Sequence, residues 1–290
     1  MAYIVAIGAY LVLLMIFGLI VAHKKVKTSD DMVTGGHRIP FIVLVGTLLA
    51  TWCGGGGITG SASVVYTGGP WVGLITFAAP PIGIILLYFI AGKVRKSNKV
   101  TVPEIMEARY GKAASIISAL CVMLAYVGVL ATQLKAAADI IVLLCSSSGV
   151  EISHGVALAI CTIIIAVITV GGGLVSVAYS DAVSALLMVG GFFAAIPILM
   201  AAASAQGATL PPEKMTITGG MSGWELLGYF LPSLALMLGD QNMLQRFASA
   251  KNSDEAKKSN IGMFIGEVLV IISIIALVTE AAKLYPSLET

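Results

Sequence analysis

The chain has 290 residues, of which 58% are hydrophobic and only 11% carry a charge. This small number of charged residues cannot cover a water-soluble surface. The composition therefore excludes a soluble protein and predicts an all-α polytopic membrane protein. The net charge of +2 says little about partners, and no nucleic acid is expected.

Eight apolar stretches follow one another along the chain, and about 20 residues suffice to cross a bilayer. They lie at 2–22, 39–67, 70–94, 113–145, 154–171, 176–203, 224–246 and 258–282. Fourteen Lys and Arg residues fall in one alternate set of loops, whereas the other set holds only Lys214 and Lys283. Because basic loops stay cytoplasmic, this pattern predicts a multi-pass protein of the plasma or inner membrane with its N-terminus outside.

The second apolar stretch contains four consecutive glycines, Gly54, Gly55, Gly56 and Gly57. Each glycine costs about 1 kcal/mol in a helix relative to alanine, so we expect a helix break near mid-membrane. Such backbone is tolerated at that depth where it is buried in protein or lines a cavity, as in the binding sites of secondary transporters. The alternative is a glycine surface for close helix packing.

A second interruption falls within 224–246, where Pro232 and Gly239 precede Asp240, Gln241 and Asn242. A charge inside a membrane segment costs several kcal/mol without a partner, which indicates a functional site. Two interrupted helices in corresponding positions are the best sequence pointer to a transporter's binding site. Alternatively, the helix ends early and Asp240 is solvated.

Other polar residues within the apolar stretches are candidates for the same site. Tyr126 and Gln133, seven residues apart, share a helix face and line a cavity or join two helices. Lys135 and Asp139 could pair near the outer interface. Asp181, beside Tyr179, is either a partner of the helix dipole or part of an inward cation exit path.

Enzymatic chemistry has no support in the sequence. It shows no phosphate-binding loop, no paired catalytic residues and no His or Cys spacing for a metal, and its four cysteines are expected to be free thiols. We therefore expect no enzyme activity, no organic cofactor and no metal other than a coupling Na⁺.

Three motifs together resemble the sodium:solute symporter family. They begin at Ala50-Thr51-Trp52 with its glycine run, at Val170 in the segment running through Asp181, and at Gly239 in the segment running through Phe247. The first motif is most similar to the choline branch of that family. Their order and spacing extend through nearly the whole chain.

The resemblance implies a leucine-transporter-type fold with two inverted five-helix repeats and an extra N-terminal helix. On this reading 1–38 holds the extra helix and a basic loop, 39–203 is the first repeat, and 204–290 holds a loop and the first two helices of an incomplete second repeat. The chain then resembles an N-terminal fragment, and without the eighth core helix we expect it not to transport by itself.

The resemblance also implies roles for single residues. Backbone carbonyls of Ala50 and Cys53 would form half of a sodium site, and Tyr179 with Asp181 would act in sodium coupling and release. Trp52, Gln133, Asp240 and Gln241 would contact the solute. A carboxylate at 240, where sugar-carrying relatives have an amide, favours an amine.

The sequence thus predicts sodium-coupled symport of a small organic solute by alternating access, with an amine or quaternary ammonium substrate. An amino acid such as proline, or a carboxylate, is the alternative substrate class. Coupling to protons, a sensory membrane domain of the same fold and an ungated channel also remain open. Oligomeric state and substrate identity are not determined.

Overall fold

The computed structural model describes residues 2–287, so residue 1 and residues 288–290 at the ends of the first and last predicted divisions lie outside the described residues. The described chain folds into α-helices joined by short loops and two 3₁₀ turns. The α-helices are α1 Ala2–Lys25, α2 Ser29–Thr34, α3 Phe41–Trp52, α4 Gly55–Gly68, α5 Pro70–Thr76, α6 Ala79–Ser97, α7 Val102–Tyr110, α8 Lys112–Ser147, α9 His154–Ala205, α10 Gly223–Gly239, α11 Gln241–Ser249 and α12 Ser253–Leu284.

Local sequence signals account for where several helices begin and end. The third apolar stretch is broken before α6, and Pro80 stands in the first turn of that helix, where a proline needs no helical hydrogen bond. Helix α7 begins after Thr101, whose hydroxyl caps it by accepting from the Glu104 amide. Helix α2 begins with a capping box, in which the Asp31 amide donates to the Thr28 hydroxyl and the Thr28 amide donates to the Asp31 carboxylate. The Lys27 amide and the Thr28 hydroxyl also donate to that carboxylate, and these bonds hold the pKa of Asp31 below its usual range.

Helix length and hydropathy support a membrane protein. Among the described residues, five helices are long and apolar enough to cross a membrane, and the bent pair α3–α4 makes six. The two predicted spans 154–171 and 176–203 lie within α9, and α10 is 17 residues long. The number of eight spans therefore stays a prediction.

Helix α9 is interrupted at Gly173, which has φ 54° and ψ −151°. Only glycine adopts this backbone conformation without strain, and the Met32 backbone of α2 packs directly against it. The run Gly171–Gly173 thus contains a sharp break in α9, and α2 packs against it.

The helices that carry the predicted motifs form the centre of the structure. Helix α12 packs against α6, α9 and α3, and α3 also packs against α9. Helix α1 lies on the outside of α9. A buried core that includes Leu44, Leu48 and Phe247 joins α3 to α11, so both interrupted helices are fixed to the same core.

Candidate functional site

The first interruption separates α3 from α4 at Cys53 and Gly54, and the two helices meet at an angle of 56°. Gly55, Gly56 and Gly57 belong to the first turn of α4, so the break is shorter than the glycine run. The Gly54 amide donates to the Trp52 carbonyl at 2.9 Å, whereas a continuous helix would use the Ala50 carbonyl. The break therefore releases the Ala50 carbonyl from its usual helical partner.

The second interruption lies at Asp240, between the end of α10 at Gly239 and the start of α11 at Gln241. Asp240 caps α11, because its Oδ1 accepts from the Met243 amide at 3.0 Å. The Tyr126 hydroxyl of α8 donates to the same Oδ1 at 3.0 Å and accepts from the Asn242 amide at 3.1 Å. Asp240 therefore lies at a helix break, and its carboxylate accepts from the Met243 amide and the Tyr126 hydroxyl. This arrangement differs from the alternative of an early helix end with a solvated Asp240.

A cavity of about 600 Å³ lies between these two interruptions. Its walls come from α3, α4, α6, α8, α10, α11 and α12. Most of the lining is apolar, as is usual for small-molecule sites. The aromatic and charged side chains of the lining are Trp52, Phe77, Tyr126, Tyr229, Asp240 and Glu267.

The charges of this lining all have one sign. Among the described residues of the cavity wall, Asp240 and Glu267 are the charged types, and none is Lys, Arg or His. A low-dielectric cavity lined by charges of one sign, here negative, raises the local concentration of cations.

Three of the four predicted solute contacts lie in the cavity wall. Trp52, Gln133 and Asp240 line it from three different helices. Gln133 packs on the first interruption so closely that any side chain at Gly54 would overlap its amide. This contact explains why a glycine stands at 54.

Gln241 does not line the cavity with the other three. Its Oε1 accepts from the Val102 amide at 2.6 Å, and its Nε2 donates to the Val100 carbonyl at 3.2 Å. The side chain thus holds the loop before α7 against the start of α11. The structure assigns it this loop contact in place of the predicted solute contact.

Asp181 has partners that the sequence did not indicate. Its Oδ2 accepts from the Thr47 hydroxyl at 2.6 Å and from Nη2 of Arg246 at 3.2 Å. Nε of Arg246 also donates to the Thr47 hydroxyl at 2.9 Å. Because Asp181 lies two turns after the break at Gly173, beyond the first turn where a helix dipole acts, the dipole explanation does not apply.

The structure corrects two further expectations, the location of Arg246 and the partner of Asp139. Arg246, counted with the basic loop residues, is buried with 6% exposure and joins α11 to α3 and α9. Asp139 pairs with His154 Nε2 at 2.9 Å and not with Lys135. Tyr179 lies outside the cavity wall, where the Lys25 ammonium sits 4.8 Å from the centre of its ring.

Glu267 is the cavity residue that sequence reasoning missed. It stands in the middle of α12 with 2% exposure, and the Cys53 thiol donates to its Oε2 at 3.5 Å. The signal was a carboxylate inside an apolar stretch, the same signal that identified Asp240.

Comparison with protein families decides the relationship that the three motifs suggested. The model of the sodium:solute symporter family matches residues 32–287. The chain belongs to the sodium:solute symporter family. Both helix interruptions and the whole cavity wall fall within the matched residues, so the site belongs to the part of the chain that defines the family.

Curated members of the sodium:solute symporter family that resemble this chain are high-affinity choline transporters. The Torpedo marmorata protein is 28% identical over a stretch covering 93% of this chain and 48% of its own length. The Homo sapiens protein is 26% identical, covering 88% of this chain and 46% of its own length. This chain thus spans less than half of either relative.

Among solved structures, a Na⁺-coupled sialic acid symporter in a substrate-bound outward-open state superposes with a TM-score of 0.77. The match covers 98% of this chain and 60% of that chain at 18% identity. The likeness confirms the predicted all-helical fold of the leucine-transporter type for this family member.

Proposed function

We propose that this chain forms the solute-binding part of a Na⁺-coupled symporter that carries a small organic cation by alternating access. The observation that carries the proposal is the cavity between two interrupted helices, with carboxylates at Asp240 and Glu267 and no basic residue in its described wall. A carboxylate in such a place needs a cation or a polar partner. Membership of the family and similarity to choline transporters support the same function.

An amine or quaternary ammonium group is the cation that fits this wall best. Trp52 offers an aromatic face, and a cation over such a ring gains about 0.5–2 kcal/mol, the larger value when desolvated. Asp240 supplies negative charge from the opposite interruption, and Gln133 supplies an amide from α8. We therefore keep Trp52, Gln133 and Asp240 as the proposed solute contacts and omit Gln241.

Sodium is the proposed coupling ion. The break after α3 turns the carbonyl of Ala50 away from its usual helical bond, and the C-terminal end of a half-helix carries partial negative charge. Carbonyls of Ala50 and Cys53 would form one half of the sodium site. Asp181 would act on the release path through its ion pair with Arg246, and Tyr179 lies two residues before it.

The proposed topology follows from the basic loops. The N-terminus lies outside the plasma or inner membrane, and residues 1–38 contribute an extra helix and a loop. Residues 39–203 form the first repeat, and residues 204–290 hold the start of the second. The two interruptions then occupy equivalent places, at the first helix of each repeat.

The test uses the complete gene product in proteoliposomes and measures uptake of labelled choline, proline, a carboxylate and a sugar, with and without an inward Na⁺ gradient. We expect Na⁺-dependent uptake of choline or another amine. Asp240→Asn should reduce it at least about tenfold, because unpairing a charge in a buried site costs several kcal/mol. Asp139→Asn is the matched control, since that carboxylate is half-exposed and outside the cavity wall.

Other outcomes assign the protein differently. Na⁺-dependent uptake of proline or a carboxylate would retain symport and reject the cationic substrate. Uptake driven by a proton gradient alone would reject sodium coupling. Binding without uptake would favour a sensory membrane domain of the same fold.

A further inference from the structure

Glu267 is a buried acid for which the described structure provides no cationic partner. Its side chain is 2% exposed, and its carboxylate accepts from the Cys53 thiol at 3.5 Å and from the Trp52 indole N–H, both of them neutral donors. A thiol is a weak donor. An ionised carboxylate with such partners in an apolar interior costs several kcal/mol, so the position is unfavourable unless a cation reaches it.

The placement of Glu267 on α12 directs it toward the cavity. Val270, Ile271 and Ile274 follow it at spacings of three, four and seven residues and line the same cavity, so the four residues share one helix face. Opposite this face, α3 ends at Trp52, and the C-terminal end of a helix carries partial negative charge. The carboxylate and the helix end together make this side of the cavity favourable for a cation.

Asp240 differs from Glu267 in what its carboxylate already does. One oxygen of Asp240 accepts both the Met243 amide and the Tyr126 hydroxyl, which stabilises the start of α11. Within the described part of the chain, Glu267 accepts from the Cys53 and Trp52 side chains and from no backbone amide. Of the two cavity carboxylates, Glu267 therefore has more capacity left for a ligand.

We propose that Glu267 is a second anionic contact of the solute site, which binds the cationic group of the solute beside the face of the Trp52 ring. The proposal rests on the proposed function, since it assigns a residue to the same cavity. It places the cationic group on the α12 side of the cavity, next to the α3–α4 break. Asp240, the first anionic contact, also holds the second interruption.

The test compares two probes of nearly equal shape and different charge. Labelled choline binding to the purified complete gene product in saturating Na⁺ is displaced by unlabelled choline or by 3,3-dimethylbutan-1-ol, its neutral carbon isostere. Wild type should prefer choline by at least about tenfold, because a buried carboxylate discriminates on charge. Glu267→Gln should reduce that preference to about threefold or less, and Glu267→Asp, which keeps the charge, should retain most of it.

The controls separate this inference from the proposed function and from misfolding. Glu151→Gln makes the same change in an exposed loop and should leave the preference unchanged. Thermal unfolding of each variant shows whether it is folded, and if Glu267→Gln is not, Glu267→Met, a neutral side chain of similar length, carries the same test. ²²Na⁺ binding should change less than about twofold in Glu267→Gln, since the assigned ligand is the organic cation.

Each contrary outcome has one meaning. An unchanged choline preference in folded Glu267→Gln overturns the role of Glu267 and leaves the proposed function standing. A loss of ²²Na⁺ binding with an unchanged choline preference also overturns it, because Glu267 would then serve the inorganic ion. Wild type that binds neither probe overturns the organic-cation substrate, and this inference with it.

Discussion

The ion pair between Arg246 and Asp181 gives the strongest prediction for stability. It joins α11 to α9 at 3.2 Å, and the Thr47 hydroxyl of α3 contacts both partners. The two side chains are 7% and 25% exposed, respectively. At this distance the gross attraction is about 5 kcal/mol for an effective dielectric constant of about 20.

The expected loss on breaking this pair follows from what stays buried. Removing one partner of a buried pair costs about 3–5 kcal/mol, because the other charge remains without compensation. Since Asp181 keeps a quarter of its exposure, we expect Arg246→Met to lower the free energy of unfolding by about 3 kcal/mol. Asp181→Asn should cost slightly more, about 3–4 kcal/mol, because it leaves the more deeply buried guanidinium without a counter-charge.

A double-mutant cycle measures the interaction itself. Unfolding in mixed micelles of increasing denaturing detergent, followed by tryptophan fluorescence, would give each free energy. Arg246→Met with Asp181→Asn should lose about 2 kcal/mol less than the sum of the single losses. Arg109→Met, an exposed arginine on α7, is the control and should change little. Additive losses, within about 0.5 kcal/mol, would refute the assigned pairing.

Three further predictions concern the cavity and the break in α9. Tyr126→Phe removes the hydroxyl that joins Asp240 to the Asn242 amide. It should lower the free energy of unfolding by about 1–2 kcal/mol and weaken choline binding in equilibrium assays. Unchanged values of both quantities would contradict the contact. In a variant with the other three cysteines replaced by serine, choline should protect Cys53 from a polar methanethiosulfonate reagent, because Cys53 lines the cavity. Equal labelling with and without choline would argue against this site. Gly173→Ala should lower the melting temperature and the yield of folded protein, because φ is 54° and the Met32 backbone blocks a side chain, whereas Gly190→Ala, with open space around it, should be tolerated. Equal melting temperatures for the two glycine variants would refute this account.

The helix breaks could be predicted from the sequence because backbone preference is local. The glycine run ends α3, the run Gly171–Gly173 contains the break in α9, and Gly239 precedes the break at Asp240. Glycine changes the cost of a helix wherever it stands, independent of what packs beside it. The placement of the site between two interruptions followed from these residues alone.

The partners of the polar side chains could not be predicted in the same way. Helical periodicity assigns a residue to a face but does not say which helix that face meets. Gln241 was expected in the cavity and contacts the loop before α7, while Arg246 was expected in a loop and is buried against Asp181. Each difference depends on how α11 is rotated against its neighbours, which packing determines.

The sequence by itself determined the class of protein, the family motifs and the positions of the helix breaks, since composition and glycine content act through local free energies. Only the tertiary structure brought Glu267 of α12 beside Trp52 and Cys53, more than 200 positions earlier in the chain. It also paired Arg246 with Asp181 across 65 positions. Contacts across such separations depend on the burial of apolar helix faces, which sets the rotation and depth of all the helices together. A local sequence pattern therefore cannot predict these contacts.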